Sequence, residues 1–220
     1  DSGKDSIMRL FLSSYGLGNT PDELSALVGD NKRTAIIMNS QDAKTPESRA
    51  ERLRQEIDAL STLGLQPEEL DLRQYFGKTA ELKEVIKDFG LVWVRGGNVF
   101  ILRKAFKQSG FDQIITELLE NDQIVYGGYS AGVCVLAPSL HGIELVDPKD
   151  ETAEGYDTEV VWDGLGVLGY AVAPHYKSDH PESDDINKCV EYFADNHILF
   201  KTLRDGEIIV INGDTEKIVA

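Results

Sequence analysis

Hydrophobic residues along this chain fall into short blocks separated by polar, glycine-containing segments, and two periodicities alternate. Residues 8–12 (Met-Arg-Leu-Phe-Leu), 34–38 (Thr-Ala-Ile-Ile-Met), 91–94 (Leu-Val-Trp-Val) and 123–126 (Gln-Ile-Val-Tyr) have the length and composition of buried strands. Leu70-Asp71-Leu72 reads as another, third in chain order. Helical patterns cover 22–27, 46–64, 80–89, 98–110 and 112–119. In the longest, Ala50, Leu53, Ile57 and Leu60 recur every three or four residues, which predicts one buried face with Arg52, Arg54 and Glu56 turned to water, and Gly64 ends it. Strand and helix alternate, and the strands are almost continuously apolar. The fold class this predicts is α/β: a doubly wound, mostly parallel sheet with helices on both faces.

Beyond Pro138 the pattern changes. Short apolar pieces near Ile143, Val160-Val161 and 169–172 sit between acidic loops, followed by a helix over 182–196. Strands are expected at 198–202, 207–211 and 217–219, with Asp205-Gly206 and Gly213-Asp214 as turns, giving a C-terminal β-hairpin region. No repeat, low-complexity tract or linker divides residues 8–220, which read as one domain. Residues 1–7, polar and ahead of Met8, read as a leader outside the fold.

Charge narrows the partners. The 220 residues carry a formal net charge of -16, which repels phosphate backbones and anionic membranes, so a small molecule or short peptide is the expected substrate. Two cysteines, Cys134 and Cys189, are too few for a disulfide scaffold or structural zinc site and suit reduced core positions in a cytoplasmic protein. No apolar run is long enough for a membrane helix. The sequence shows no exposed apolar stripe, which leaves monomer and homodimer both open.

The chemistry centres on Gly128-Tyr129-Ser130-Ala131-Gly132, a serine between two glycines directly after an apolar strand and before Val133-Cys134-Val135-Leu136. A strand that turns sharply into a helix lifts a serine hydroxyl clear of the backbone only if its neighbours lack bulk, and the following amides then point at an oxyanion. The bland alternative is a glycine-rich turn with an incidental serine. A serine nucleophile needs a base, and four histidines are available. His141 and His197 suit surface positions, and His180 lies in the polar run 177–181. His175 follows Ala171-Val172-Ala173-Pro174 and so sits at a strand end like the serine, which makes it the candidate base rather than only a structural hydrogen-bonding group. Arg95-Gly96-Gly97-Asn98 follows another strand, and its glycines allow backbone amides to approach a ligand. Gly97 and Ala131 are candidate oxyanion donors, and Asn98 a candidate substrate contact, although the same residues also suit a plain tight turn.

Arg95-Gly96-Gly97-Asn98-Val99-Phe100, the serine elbow, and Asp163-Gly164-Leu165-Gly166 followed by Ala173-Pro174-His175-Tyr176 together resemble the three signatures of the peptidase E (aspartyl dipeptidase) family of serine peptidases, in order and spacing, from Met8 to the C-terminus. That resemblance implies a class I glutamine amidotransferase-like fold, with Ser130 as nucleophile, His175 as general base and the Gly97 and Ala131 amides as the oxyanion hole. It implies as third member an acidic residue before a glycine in the first hairpin after the last helix, here Asp205, where the family usually has glutamate. Read from the residues alone, Asp205 is the first residue of an Asp-Gly turn. Asp147 resembles a family position important for activity and is a candidate partner for a substrate α-amino group; before Pro148 it equally suits a turn start.

One departure bears on specificity. Aspartyl dipeptidases place an arginine soon after the histidine to recognise the substrate's N-terminal aspartate, whereas this chain has His180-Pro181-Glu182-Ser183-Asp184-Asp185. Carboxylates there repel an aspartyl side chain, so strict N-terminal aspartate preference is not expected. The expected activity is hydrolysis of short peptides through an acyl-enzyme with no metal or cofactor. A cyanophycinase-like isopeptidase, an esterase, and a non-catalytic small-molecule-binding protein with a vestigial site are the alternatives.

Overall fold

The computed structural model describes residues 7–220; of the expected leader, residues 1–6 lie outside the described residues. The chain runs β1 (Arg9–Ser13), α1 (Asp22–Leu27), β2 (Arg33–Ile37), α2 (Pro46–Ser61), β3 (Gln66–Glu69), α3 (Thr79–Ile86), β4 (Leu91–Val94), α4 (Val99–Ser109), α5 (Phe111–Glu120), β5 (Val125–Tyr129) and α6 (Ala131–Cys134). It continues through β6 (Ala171–Ala173), α7 (Ser183–Asp195), β7 (Phe200–Thr202), β8 (Ile208–Asn212) and β9 (Thr215–Val219). Seven strands form one sheet in the order β3-β2-β4-β5-β1-β8-β9. The first five are parallel, β8 joins β1 antiparallel, and β8 and β9 make the C-terminal hairpin. The fold is the expected α/β class.

Alternation along the central strands explains why they are apolar throughout. Leu10 and Leu12, Ala35 and Ile37, and Val92 and Val94 pack on one face with residues of α3 to α7. Phe11, Ile36, Met38 and Trp93 pack on the other with Leu24 and Leu27 of α1 and Leu60 of α2. Each strand is buried on both sides, as parallel sheets require.

Several boundaries depart from the expectation for physical reasons. The third strand is Gln66–Glu69 rather than Leu70-Asp71-Leu72, because β3 is a sheet edge that pairs only with β2; it needs no apolar face and tolerates Pro67. Leu70 and Leu72 are buried just beyond it, and Leu72–Tyr75 is a 3-10 turn. Val160-Val161 forms no strand. β7 does not pair with β8: it lies parallel to β6 in a separate two-stranded sheet, so Asp205-Gly206 joins two sheets and is not a hairpin turn.

On α2, Ala50 is exposed and Glu56, expected to face water, is buried at 6% exposure. Its carboxylate accepts hydrogen bonds from Trp93 Nε1 at 2.9 Å and from the Tyr129 hydroxyl, and pairs with Arg95 at 3.1 Å. Glu56 thereby links α2 to the ends of β4 and β5. Replacing Glu56 by alanine strands the Arg95 guanidinium and two buried donors, and urea denaturation is expected to show a loss of about 3–5 kcal/mol.

Candidate active site

Every parallel strand of the main sheet except the edge strand β3 delivers a residue to one place, at its C-terminal end, where a doubly wound sheet opens into a crevice. β5 ends in the elbow. Ser130 has φ 53° and ψ -116°, a conformation that costs a non-glycine residue about 1–3 kcal/mol and that the packing around it must enforce. A Cβ on Gly128 would lie 2.5 Å from the Val94 carbonyl oxygen, and one on Gly132 would lie 2.2 Å from the same atom, so both elbow glycines are required by the approach of β4. The Tyr126 hydroxyl donates to the Gly132 carbonyl at 2.6 Å and fixes the start of α6 from below.

His175 and Asp205 arrive from the small sheet. Ala173 of β6 and Thr202 of β7 are register partners in a parallel pair, so the segments leaving both strands emerge side by side. His175 is 1% exposed and has φ 61°, a second enforced left-handed residue. Its Nε2 lies 3.0 Å from Ser130 Oγ and its Nδ1 2.7 Å from Asp205 Oδ1. The three expected residues thus form one line, although they derive from two sheets. With Nδ1–H donated to the carboxylate, Nε2 presents a lone pair to the serine hydroxyl. Burial lowers the His175 pKa, Asp205 opposes that shift, and the neighbouring His180 adds to it, so the imidazole is neutral and able to accept a proton at neutral pH.

Ser14, at the end of β1, is the residue that sequence reasoning missed. It is fully buried; its hydroxyl donates to Asp205 Oδ1 at 2.8 Å and accepts the His175 backbone N–H at 2.8 Å. One side chain of the main sheet therefore holds both residues supplied by the small sheet. The only signal in sequence was its position at a strand end, in the pair Ser13-Ser14. Asp205 also gains a fixed backbone through its N–H, which donates to Ser178 Oγ at 2.8 Å. Tyr15, 56% exposed, stands edge-on to His175 and His180 with ring centroids 6.1 and 5.7 Å away, at the open side of the site.

The Gly96-Gly97 turn adjoins the serine, since a Cβ on Gly96 would lie 2.9 Å from Ser130 Cβ. The Gly96 carbonyl accepts from Ser40 Oγ at 2.9 Å, Gln41 Nε2 at 2.7 Å and Arg95 Nη1 at 3.0 Å. Because a trans peptide is planar, fixing that carbonyl fixes the Gly97 N–H in the opposite direction. Gly97 has φ 151°, and a Cβ there would fall 2.4 Å from Gln41 Nε2. Among the described residues the Gly97 and Ala131 N–H groups donate to no protein acceptor.

The two candidate substrate contacts are placed differently. Asn98 caps α4, accepting from the Phe100 and Ile101 amides, while its Nδ2 donates to the Pro148 carbonyl at 2.8 Å and Glu151 at 3.0 Å. Its amide group is fully engaged by the protein, so the structure gives it a capping role rather than a substrate contact. Asp147 is buried, and Oδ2 accepts the Val99 amide at 2.9 Å at the start of α4. Burial raises its pKa to about 7, against the Val99 hydrogen bond and with help from Glu182 and Glu151.

The ligand atoms of His175, His180 and Glu182 lie within 4.8 Å of one another, a spacing compatible with a cation. Their orientation is not. The two imidazoles stack face to face, 3.6 Å apart and 6° from parallel, so their in-plane lone pairs cannot meet at one point. His180 Nδ1 already accepts the Glu182 amide at 3.1 Å. The stacking and this hydrogen bond leave the cluster without converging imidazole lone pairs for a metal.

Residues 20–219 match the model of peptidase family S51. The chain belongs to peptidase family S51. Membership makes it a serine peptidase. An uncharacterised peptidase of Pasteurella multocida is 24% identical over 149 residues, 68% of each chain. Among solved structures, a protein from Listeria monocytogenes provisionally named peptidase E superposes with a TM-score of 0.77 at 24% identity, covering 96% of this chain and 98% of that one. A peptidase from an acI-B1 actinobacterium gives 0.69 at 19% identity, covering 98% and 88%. These superpositions support the S51 member's fold. No helix among its described residues is long and apolar enough to cross a membrane.

Asp147 makes the stability of this peptidase pH-dependent. Its folded pKa lies above the unfolded value, so the folded state binds more protons between about pH 4 and pH 7, and stability falls as pH rises through that window. Asp147→Asn is expected to remove this slope and to raise the urea midpoint above pH 7.

Proposed function

We propose that the chain hydrolyses short peptides, as a dipeptidase-like exopeptidase, through an acyl-enzyme on Ser130. The observation that carries this reading is the unbroken line from Ser130 Oγ through both nitrogens of His175 to Asp205, with steps of 3.0 and 2.7 Å. His175 takes the serine proton as Ser130 attacks the scissile carbonyl, then gives it to the leaving amine. Asp205 holds the productive tautomer and stabilises the imidazolium. The Gly97 and Ala131 amides receive the oxyanion, the Gly97 donor being preset by the clamp on the Gly96 carbonyl. Water then releases the acyl group by the same steps in reverse.

Specificity follows from the charge beside the nucleophile. Glu182 Oε2 lies 3.8 Å from His175 Nε2, the nitrogen that faces Ser130 Oγ. Burial raises the Glu182 pKa, with like-charged Asp185 and Asp205 adding to the shift and His180 opposing it. A carboxyl so placed disfavours an N-terminal aspartyl side chain and tolerates neutral or cationic ones.

Two measurements test the reading. Ser130→Ala is expected to lower turnover of dipeptides by about a thousandfold or more with the fold intact, and to abolish fluorophosphonate labelling; undiminished hydrolysis would remove Ser130 from the mechanism. In a dipeptide panel, Ala-Leu and Lys-Leu are expected to be cleaved at least as fast as Asp-Leu. Glu182→Gln should move the Lys-Leu to Asp-Leu ratio of kcat/KM by about fivefold toward Asp-Leu, the worth of one half-exposed charge. Strong Asp-Leu preference in the unaltered chain contradicts the specificity assignment while leaving the Ser130 chemistry standing.

A further inference from the structure

Away from the Ser130 site, α4 carries two rows of long polar side chains one helical turn apart, Arg103 with Lys107 and Lys104 with Gln108. The outer members fasten residues 155–163 to the helix at both ends. Gln108 donates to the Gly155 carbonyl and accepts the Asp157 amide, each at 3.0 Å. Arg103 Nε donates to the Asp163 carbonyl at 2.7 Å, and its Nη1 pairs with Asp112 at 2.8 Å. Between these fastenings is a cavity of about 550 Å³, large enough for a small organic ligand, with Lys104, Lys107, Glu159 and Trp162 in its wall.

Lys104 is the anomaly. It is 1% exposed, and among the described residues its ammonium makes a single hydrogen bond, at 3.5 Å, to the Thr158 carbonyl. An ammonium has three donors, and burying one without a carboxylate is unfavourable. Arg103 on the same helix has its acid; the described ion pairs include neither Lys104 nor Lys107. Two cations thus share one wall of the cavity. Asp157, Glu159 and Asp163, on the exposed segment, also line the cavity.

We propose that this cavity binds a free α-amino acid, its carboxylate between Lys104 and Lys107 and its ammonium toward the carboxylates of Asp157, Glu159 and Asp163. The mixed walls select that class. A bare dianion meets three carboxylates and a chain of net charge -16, and a bare cation meets a buried lysine. A zwitterion carries both complements and, being neutral overall, is not repelled at long range. The half-buried Trp162 and the fixed ends of the segment supply a preformed apolar wall.

The site carries its own reporter. Of the two tryptophans, Trp93 is wholly buried in the opposite core, so ligand-dependent emission comes from Trp162. Titrating the full chain with glycine and leucine should give a saturable change in tryptophan emission, matched by calorimetry. Lys104→Met and Lys107→Ala should each weaken it by about tenfold while fluorophosphonate labelling of Ser130 is unchanged. Lys107 is exposed, so Lys107→Ala retains the fold even where Lys104→Met does not. No saturable response to either amino acid overturns the proposal. So does undiminished affinity in Lys107→Ala or in a folded Lys104→Met, or tighter binding of inorganic phosphate or methylamine than of leucine.

Discussion

The molecule is organised around a contact with no room for a side chain. At the end of β4 the Val94 carbonyl oxygen lies so close to Gly128 and Gly132 that any Cβ there would overlap it. This lets the elbow sit directly against the neighbouring strand end, which brings the Gly96-Gly97 turn to the serine. It also explains why Ser130 can be held at positive φ: Glu56, Trp93 and Tyr129 on one side and Tyr126 on the other immobilise the backbone around it. Close backbone packing, rather than any one polar interaction, gives the Ser130 side chain its exposure.

The sequence made the apolar architecture legible because both faces of the central strands are buried, leaving an uninterrupted signal. It was silent where the signal has no physical reason to exist. β3 pairs on one side only and can be polar, so Gln66–Glu69 carried no strand pattern and the buried Leu70 and Leu72 drew attention instead. Glu56 looked like a solvent-facing residue because periodicity assigns charge to the outside. Only the tertiary structure shows that an indole, a phenol and a guanidinium await it.

The site was legible to the extent that its residues sit at strand ends. Ser130, His175 and Gly97 could be singled out from flanking apolar runs and glycines, and resemblance to a known family pointed to Asp205. Ser14 could not be found that way, since a buried serine after a strand has no distinguishing neighbours and its value lies in contacts 161 and 191 residues away. Asn98 was misread in the opposite direction. Its place in the glycine turn made it a candidate substrate contact, while its ordinary ability to cap a helix decided its position.

The two-sheet origin of the proposed machinery has a further consequence. Ser130 is anchored in a seven-stranded sheet, whereas His175 and Asp205 follow a pair of three-residue strands, and a single hydroxyl at the end of β1, that of Ser14, bonds to both of them. Short strands open at lower free energy than a central sheet. The seam between the sheets is therefore an expected place for local opening. On the proposed mechanism, heat or denaturant that opens this seam would part His175 from a Ser130 still held in its elbow, so inactivation would precede melting of the core.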